Sequence, residues 1–191
     1  FWRPVVLTVA LITMITGGDR ALLQTDLKRL LALGTVRQLG LLMVMFGAGR
    51  PEATLAGVVL IIAHALFKAP LFMVVGVIDH QAHSRDIRAL GAWGPGWGGP
   101  RWVAIVSGLS MAGIPLLFGF IAKEAAYEAF SHHAGTGEWV VLAGIVAGSV
   151  LTFAYTGRFL LGAFTTRDVP GSSPLPAAEH DHTSGGQPVG A

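Results

Sequence analysis

The chain has 191 residues, of which 52% are apolar and 13% charged, with a formal net charge of +2. A soluble domain carries roughly 25% charged residues, so this composition excludes an ordinary soluble fold, and so small a net charge gives no basis for nucleic-acid binding. With no cysteine, the chain cannot form disulfides, thiolate metal sites or cysteine-held iron–sulfur clusters.

The apolar residues arrive in blocks of about 20, the length that crosses a bilayer as a helix. The first block, about 2–23, begins directly after Phe1. It lacks the basic start and small-residue cleavage site of a signal peptide, and reads as a piece of a longer membrane protein. Gln24-Thr25-Asp26 follows, where Thr25 or Asp26 fits an N-cap. The second span, about 27–46, is the most polar, and the residues from Gly47 to Pro51 carry turn chemistry. The third span is about 53–78, and 79–101 is a polar loop rich in Gly, Trp and charge. The fourth, about 102–129, is interrupted at Gly113-Ile114-Pro115, and the fifth is about 138–164. Residues 166–191 turn to Pro, Ser, Gly and acidic residues without periodicity, a disordered polar tail. The expected fold is therefore all-α and polytopic, with five transmembrane helices.

Arg20, Lys28, Arg29, Arg85, Arg88, Arg101 and Arg167 fall on one side of this arrangement, and Arg3 and Arg50 on the other. The positive-inside rule makes the crowded side and the C-terminal tail cytoplasmic.

His64 and Lys68 lie within the third span, four residues apart and so on one side of its helix. Ionisable groups are expensive in hydrocarbon unless they face a polar interior, and an intramembrane Lys is a functional-site candidate by default. The pair suits a proton relay. It does not suit zinc, since Lys is not a usual ligand and no third ligand is near. Pro70 and Pro115 are expected as helix breaks, freeing the carbonyls of Leu66 and Met111. Around Pro115, Gly108, Gly113 and Gly119 favour a discontinuous helix, of the kind found at transporter ion sites, over a simple kink. Lys123 and Glu124 are either interfacial or placed on the second half of that helix, facing water. Asp26-Leu27-Lys28-Arg29 opens the second span either as a capped, positively anchored start or as a functional segment, and Arg158 reads as an interfacial anchor.

The segments Asp26–Ala32, Thr35, Gln38-Leu39-Gly40, His64-Ala65-Leu66-Phe67-Lys68-Ala69 and Leu71-Phe72 follow one another in order. With Ala112-Gly113-Ile114-Pro115, Gly119-Phe120 and Lys123-Glu124, they closely resemble the proton-conducting antiporter family. That family includes the large membrane subunits of respiratory complex I and the Mrp-type cation/proton antiporters. Gly76–His80 followed by Ser84-Arg85-Asp86 is more similar to the Mrp A subunit. The resemblance covers about residues 1–165 and implies the second of two inverted five-helix repeats, a half-channel whose fourth helix is broken. It implies a proton pathway of Lys28, His64, Lys68 and Lys123, no cofactor, and a transporter subunit rather than an enzyme. Three positions depart from the pattern: Leu60 replaces a second histidine found in some members, Leu33-Gly34 replaces Tyr-Ser, and Arg37 adds a charge.

The resemblance thus implies part of a multisubunit Na+/H+ antiporter in the cell membrane, with other membrane subunits, lipid, protons and sodium as partners. Two alternatives stand beside it. One is a proton-pumping subunit of an NADH–quinone oxidoreductase or membrane hydrogenase. The other is a truncated chain without transport, because the family's first repeat, with its glutamate–lysine pair, is not in this sequence.

Overall fold

The computed structural model describes residues 2–90, 96–131 and 136–164. Arg167, the expected tail at 166–191 and the histidines at 132, 133, 180 and 182 lie outside the described residues. Among the described residues six helices follow in order: α1 (Trp2–Leu23), α2 (Leu27–Gly47), α3 (Pro51–Ala82), α4 (Gly98–Ala112), α5 (Phe118–Ser131) and α6 (Thr136–Phe164). By length and composition α1, α2, α3 and α6 can each cross a membrane. Helices α4 and α5 take the place of the expected interrupted fourth span and are separated at residues 113–117. At 1.5 Å per residue, α3 extends about 48 Å, well beyond a hydrocarbon core of about 30 Å. Its last turn and the start of α4 therefore lie in the segment expected as loop, because helix continues into polar sequence where hydropathy has already fallen.

Asp26 is the N-cap of α2, its carboxylate accepting from the Arg29 N–H at 3.0 Å. The α1–α2 turn is tied to the segment after α3 by Leu27 N–H to Arg85 carbonyl (3.0 Å) and Ile87 N–H to Thr25 carbonyl (2.9 Å). Arg85 lies 3.6 Å from both Asp26 and Asp79, and Arg158 donates to the Gln24 carbonyl at 3.1 Å, anchoring α6 to the same end. At the opposite end Arg50 pairs with Glu138 at 2.9 Å over the Phe130 ring, and Arg3 donates to the Ala48 carbonyl.

Lipid offers no hydrophobic drive between helices, so close packing falls to small residues. A Cβ on Gly40 would lie 2.6 Å from the Met14 nitrogen, and one on Gly17 2.7 Å from the Arg37 nitrogen. These two glycines set how closely α1 and α2 approach. Large apolar side chains such as Leu55, Leu66, Met73, Val150 and Leu161 are exposed, as suits a surface that meets hydrocarbon or further protein.

The two prolines behave differently. Pro70 does not break its helix: α3 continues through it to Ala82. One proline removes one hydrogen bond, and α3 as a whole packs on α2, α4 and α5, so the rest of the helix persists. Pro115 does lie in a break, but α4 has already ended at Ala112, with Gly113 as a left-handed C-cap at φ 85°.

Candidate functional site

A small buried cavity lies between α2, α3, α4, α5 and α6. It offers about 10 Å³ to water centres and is lined by Gly34, Gln38, His64, Lys68, Lys123 and Tyr155 among others. That is room for roughly one water. Helix periodicity places His64 and Lys68 on this one face of α3. The break brings Lys123 to the same cavity from α5.

Lys68 is 5% exposed. Its Nζ donates to the Leu31 carbonyl at 2.7 Å, and Thr35 Oγ1 donates to the same oxygen at 3.2 Å. An ammonium has three N–H groups, so donors remain for the cavity. Gly34 makes this approach possible: a Cβ there would lie 2.9 Å from Lys68 Nζ and 3.1 Å from Tyr155 Oη. The amine of α3 and the phenol of α6 therefore converge on the space that a side chain at 34 would fill. Beside Tyr155 on α6, Thr152 Oγ1 donates to the Gly148 carbonyl at 2.9 Å.

His64 is half-buried, edge-on to Phe67 with ring centroids 5.4 Å apart. Its Nδ1 has no hydrogen-bond partner among the described residues. Lys123 donates through Nζ to the Ala112 carbonyl at 2.7 Å, the last carbonyl of α4. A Cβ on Gly113 would lie 2.8 Å from Lys123 Cδ, so the lysine stem lies across the glycine cap. Across the break, the Gly119 N–H donates to Ser110 Oγ at 3.2 Å. A Cβ on Gly119 would overlap the Ser110 carbonyl, which fixes glycine at the start of α5.

Of the four candidates on the pathway, the cavity gathers His64, Lys68 and Lys123. Lys28 stands apart, exposed in the first turn of α2, one turn before the Leu31 carbonyl that Lys68 meets. Glu124 is exposed on α5 and does not line the cavity. Sequence reasoning passed over Tyr155 and Thr152, which come from a helix where nothing flags them. It noted Arg37 only as a departure, and the structure buries that side chain at 1% exposure. A larger cleft of about 610 Å³ opens near Arg3, Arg50 and Glu138, away from this cluster.

Residues 1–153 match the family described as NADH:quinone oxidoreductase/Mrp antiporter, TM. The chain is 38% identical over 187 residues to a protein of Rhizobium meliloti described as a probable K(+)/H(+) antiporter A/B subunit, covering 94% of this chain and 18% of the relative. It is 37% identical over 191 residues to a putative antiporter subunit mnhA2 of Staphylococcus haemolyticus, covering 87% and 24%. The chain thus spans about a fifth to a quarter of the length of these relatives. Among solved structures, it is similar to the Mrp complex of Dietzia sp., with TM-score 0.74, 36% identity and coverage of 83% and 18%. The complex I of Thermus thermophilus shares the fold at TM-score 0.73 and 21% identity, over 92% of this chain and 36% of that one. The family match, on six helices that gather two lysines and a histidine around one cavity, settles the assignment: the chain belongs to the NADH:quinone oxidoreductase/Mrp antiporter transmembrane family.

Proposed function

We propose that this chain is a proton-conducting half-channel of an Mrp-type cation/proton antiporter. One observation carries the reading: His64, Lys68 and Lys123, from a continuous helix and a broken one, line a single buried cavity with room for about one water. Amines and an imidazole around a water pass protons by exchanging them through it. Among the described residues no carboxylate lines the cavity, so a metal cation would find few of the oxygen ligands it needs there. Lys28 serves as the exposed mouth, Lys68 and His64 as the centre, and Lys123 as the exit.

The Arg and Lys distribution supports a cytoplasmic Lys28 end and tail, in the cell membrane. The exposed apolar flanks support packing against lipid and further membrane subunits, and the share of the relatives' length covered supports a larger antiporter around this segment. The relatives' names support the antiporter reading over a redox-driven pump, and one of them names potassium, so the exchanged cation is to be tested with both sodium and potassium.

The test is Lys68→Ala in the antiporter that contains this chain, assayed for cation-driven proton movement in everted vesicles. Loss of exchange at unchanged membrane abundance is the expected result. Exchange at the wild-type rate would sink the relay.

A further inference from the structure

Arg37 is the largest fully buried side chain among the described residues, and the sequence has cleared a place for it. Gly17 and Gly18 of α1 flank it, and a Cβ on Gly148 of α6 would lie 3.1 Å from its Nη2. A guanidinium sealed inside a membrane helix bundle is costly, and it does not give up its proton, so it carries none along the path. Its one hydrogen bond among the described residues runs from Nη1 to Gln38 Oε1 at 3.0 Å; Nε and Nη2 have no partner.

That bond determines what Gln38 can do. Gln38 lines the cavity shared by His64, Lys68 and Lys123. With Oε1 held by Arg37, the amide presents its NH2, and Nε2 is buried without a partner among the described residues. His64 Nδ1 is likewise unpartnered at the same cavity. A water there needs two to four polar partners; the Gln38 amide supplies a donor on the α2 wall. We propose that Arg37 is a positioning residue of the proton path, locking Gln38 so that its amide N–H groups, rather than its oxygen, face the water between the α3 pair and Lys123. A free amide could turn either way, and the flipped form would set an acceptor against the water.

This inference rests on the half-channel reading, and the Lys68→Ala control separates the two: if that variant still exchanges, the half-channel reading itself fails. The experiment uses the antiporter that contains this chain in everted vesicles, with Arg37→Met, Arg37→Lys, Gln38→Met and the double Met variant. Expected for Arg37→Met is a turnover lower by about 10- to 100-fold, by analogy with residues that orient the ligands of a metal site, with the apparent KM for the cation and membrane abundance unchanged. Arg37→Lys, which keeps one donor for Gln38 Oε1, restores most of the rate. The double variant is no slower than Gln38→Met alone, because Arg37 acts through Gln38. Wild-type turnover in Arg37→Met, or losses that multiply in the double variant, would overturn the proposal. Should Arg37→Met fail to reach the membrane, Gln38→Glu decides: it keeps a partner for Arg37 but removes the amide donors, so wild-type turnover there overturns it and lost turnover at normal abundance supports it.

Discussion

Lys68 and Lys123 make the same bond to different kinds of acceptor. Each donates at 2.7 Å to a main-chain carbonyl. For Lys68 the carbonyl belongs to Leu31, inside the continuous α2, and already accepts from Thr35 Oγ1. For Lys123 it belongs to Ala112, at the end of α4, one of the four carbonyls a helix end leaves without an intrahelical partner. Lys68 is therefore a passenger on a finished helix, whereas Lys123 finishes one. The surrounding prolines repeat the contrast, since α3 runs through Pro70 while the α4–α5 gap opens at Gly113, before Pro115. What separates the two regions is glycine, at the left-handed cap and at the close approach of Gly119 to Ser110.

The sharpest way to break the contrast is at Gly119. Ala there places a Cβ on the Ser110 carbonyl, and backbone cannot yield as a side chain does. Gly119→Ala should destabilise by about 3 kcal/mol, the upper end of overpacking, read as loss of folded protein in detergent unfolding. Near-native stability would mean the two half-helices do not overlap as described.

Next come the lysines themselves. Lys123→Met leaves the Ala112 carbonyl unsatisfied inside the bundle and should lower stability by about 1.5–3 kcal/mol, as for a hydrogen bond from a charged group. Lys68→Met removes a second or third donor from a carbonyl that α2 already serves, so its stability should stay closer to wild type. Exchange should be lost in both. Equal stability losses would erase the distinction between passenger and cap.

Much of this fold was legible from blocks of apolar sequence, which marked the four helices long and apolar enough to cross a membrane, and from His64 and Lys68, whose spacing alone placed them on one face. The Asp26 cap and the interruption near Pro115 were legible too, because polar and left-handed requirements leave specific residues. The interior wall was not. Where lipid-facing and core-facing side chains are both apolar, as along α6 with Val150 exposed and Phe159 buried, hydropathy carries no inside-or-outside signal. Tyr155 could not be found that way, nor could Gly34 be recognised as the space that admits its hydroxyl. Pro70 misled for a related reason: its sequence signal is that of Pro115, and only the absence of a left-handed glycine beside it tells them apart.

Gly113→Ala probes that glycine directly. At φ 85° a Cβ costs about 1–2 kcal/mol, and here it also presses on the Lys123 stem. The expected result is a moderate loss of stability with a partial loss of exchange, because the flexible lysine can shift where a carbonyl cannot. A neutral Gly113→Ala would show that the break tolerates a right-handed end.

The smallest effect belongs to Pro70→Ala. If glycine and not proline decides where a membrane helix opens, restoring an N–H at position 70 closes one bond in a helix that is already continuous. Stability should then change by less than about 1 kcal/mol, with exchange retained, since Lys68 lies within the same unbroken run. A large gain in stability with loss of exchange would instead mean that Pro70 holds α3 bent, and that the bend aims Lys68 at the Leu31 carbonyl. In that case the proline of α3, and not the glycine of α4, would be the device that shapes the central half of the path.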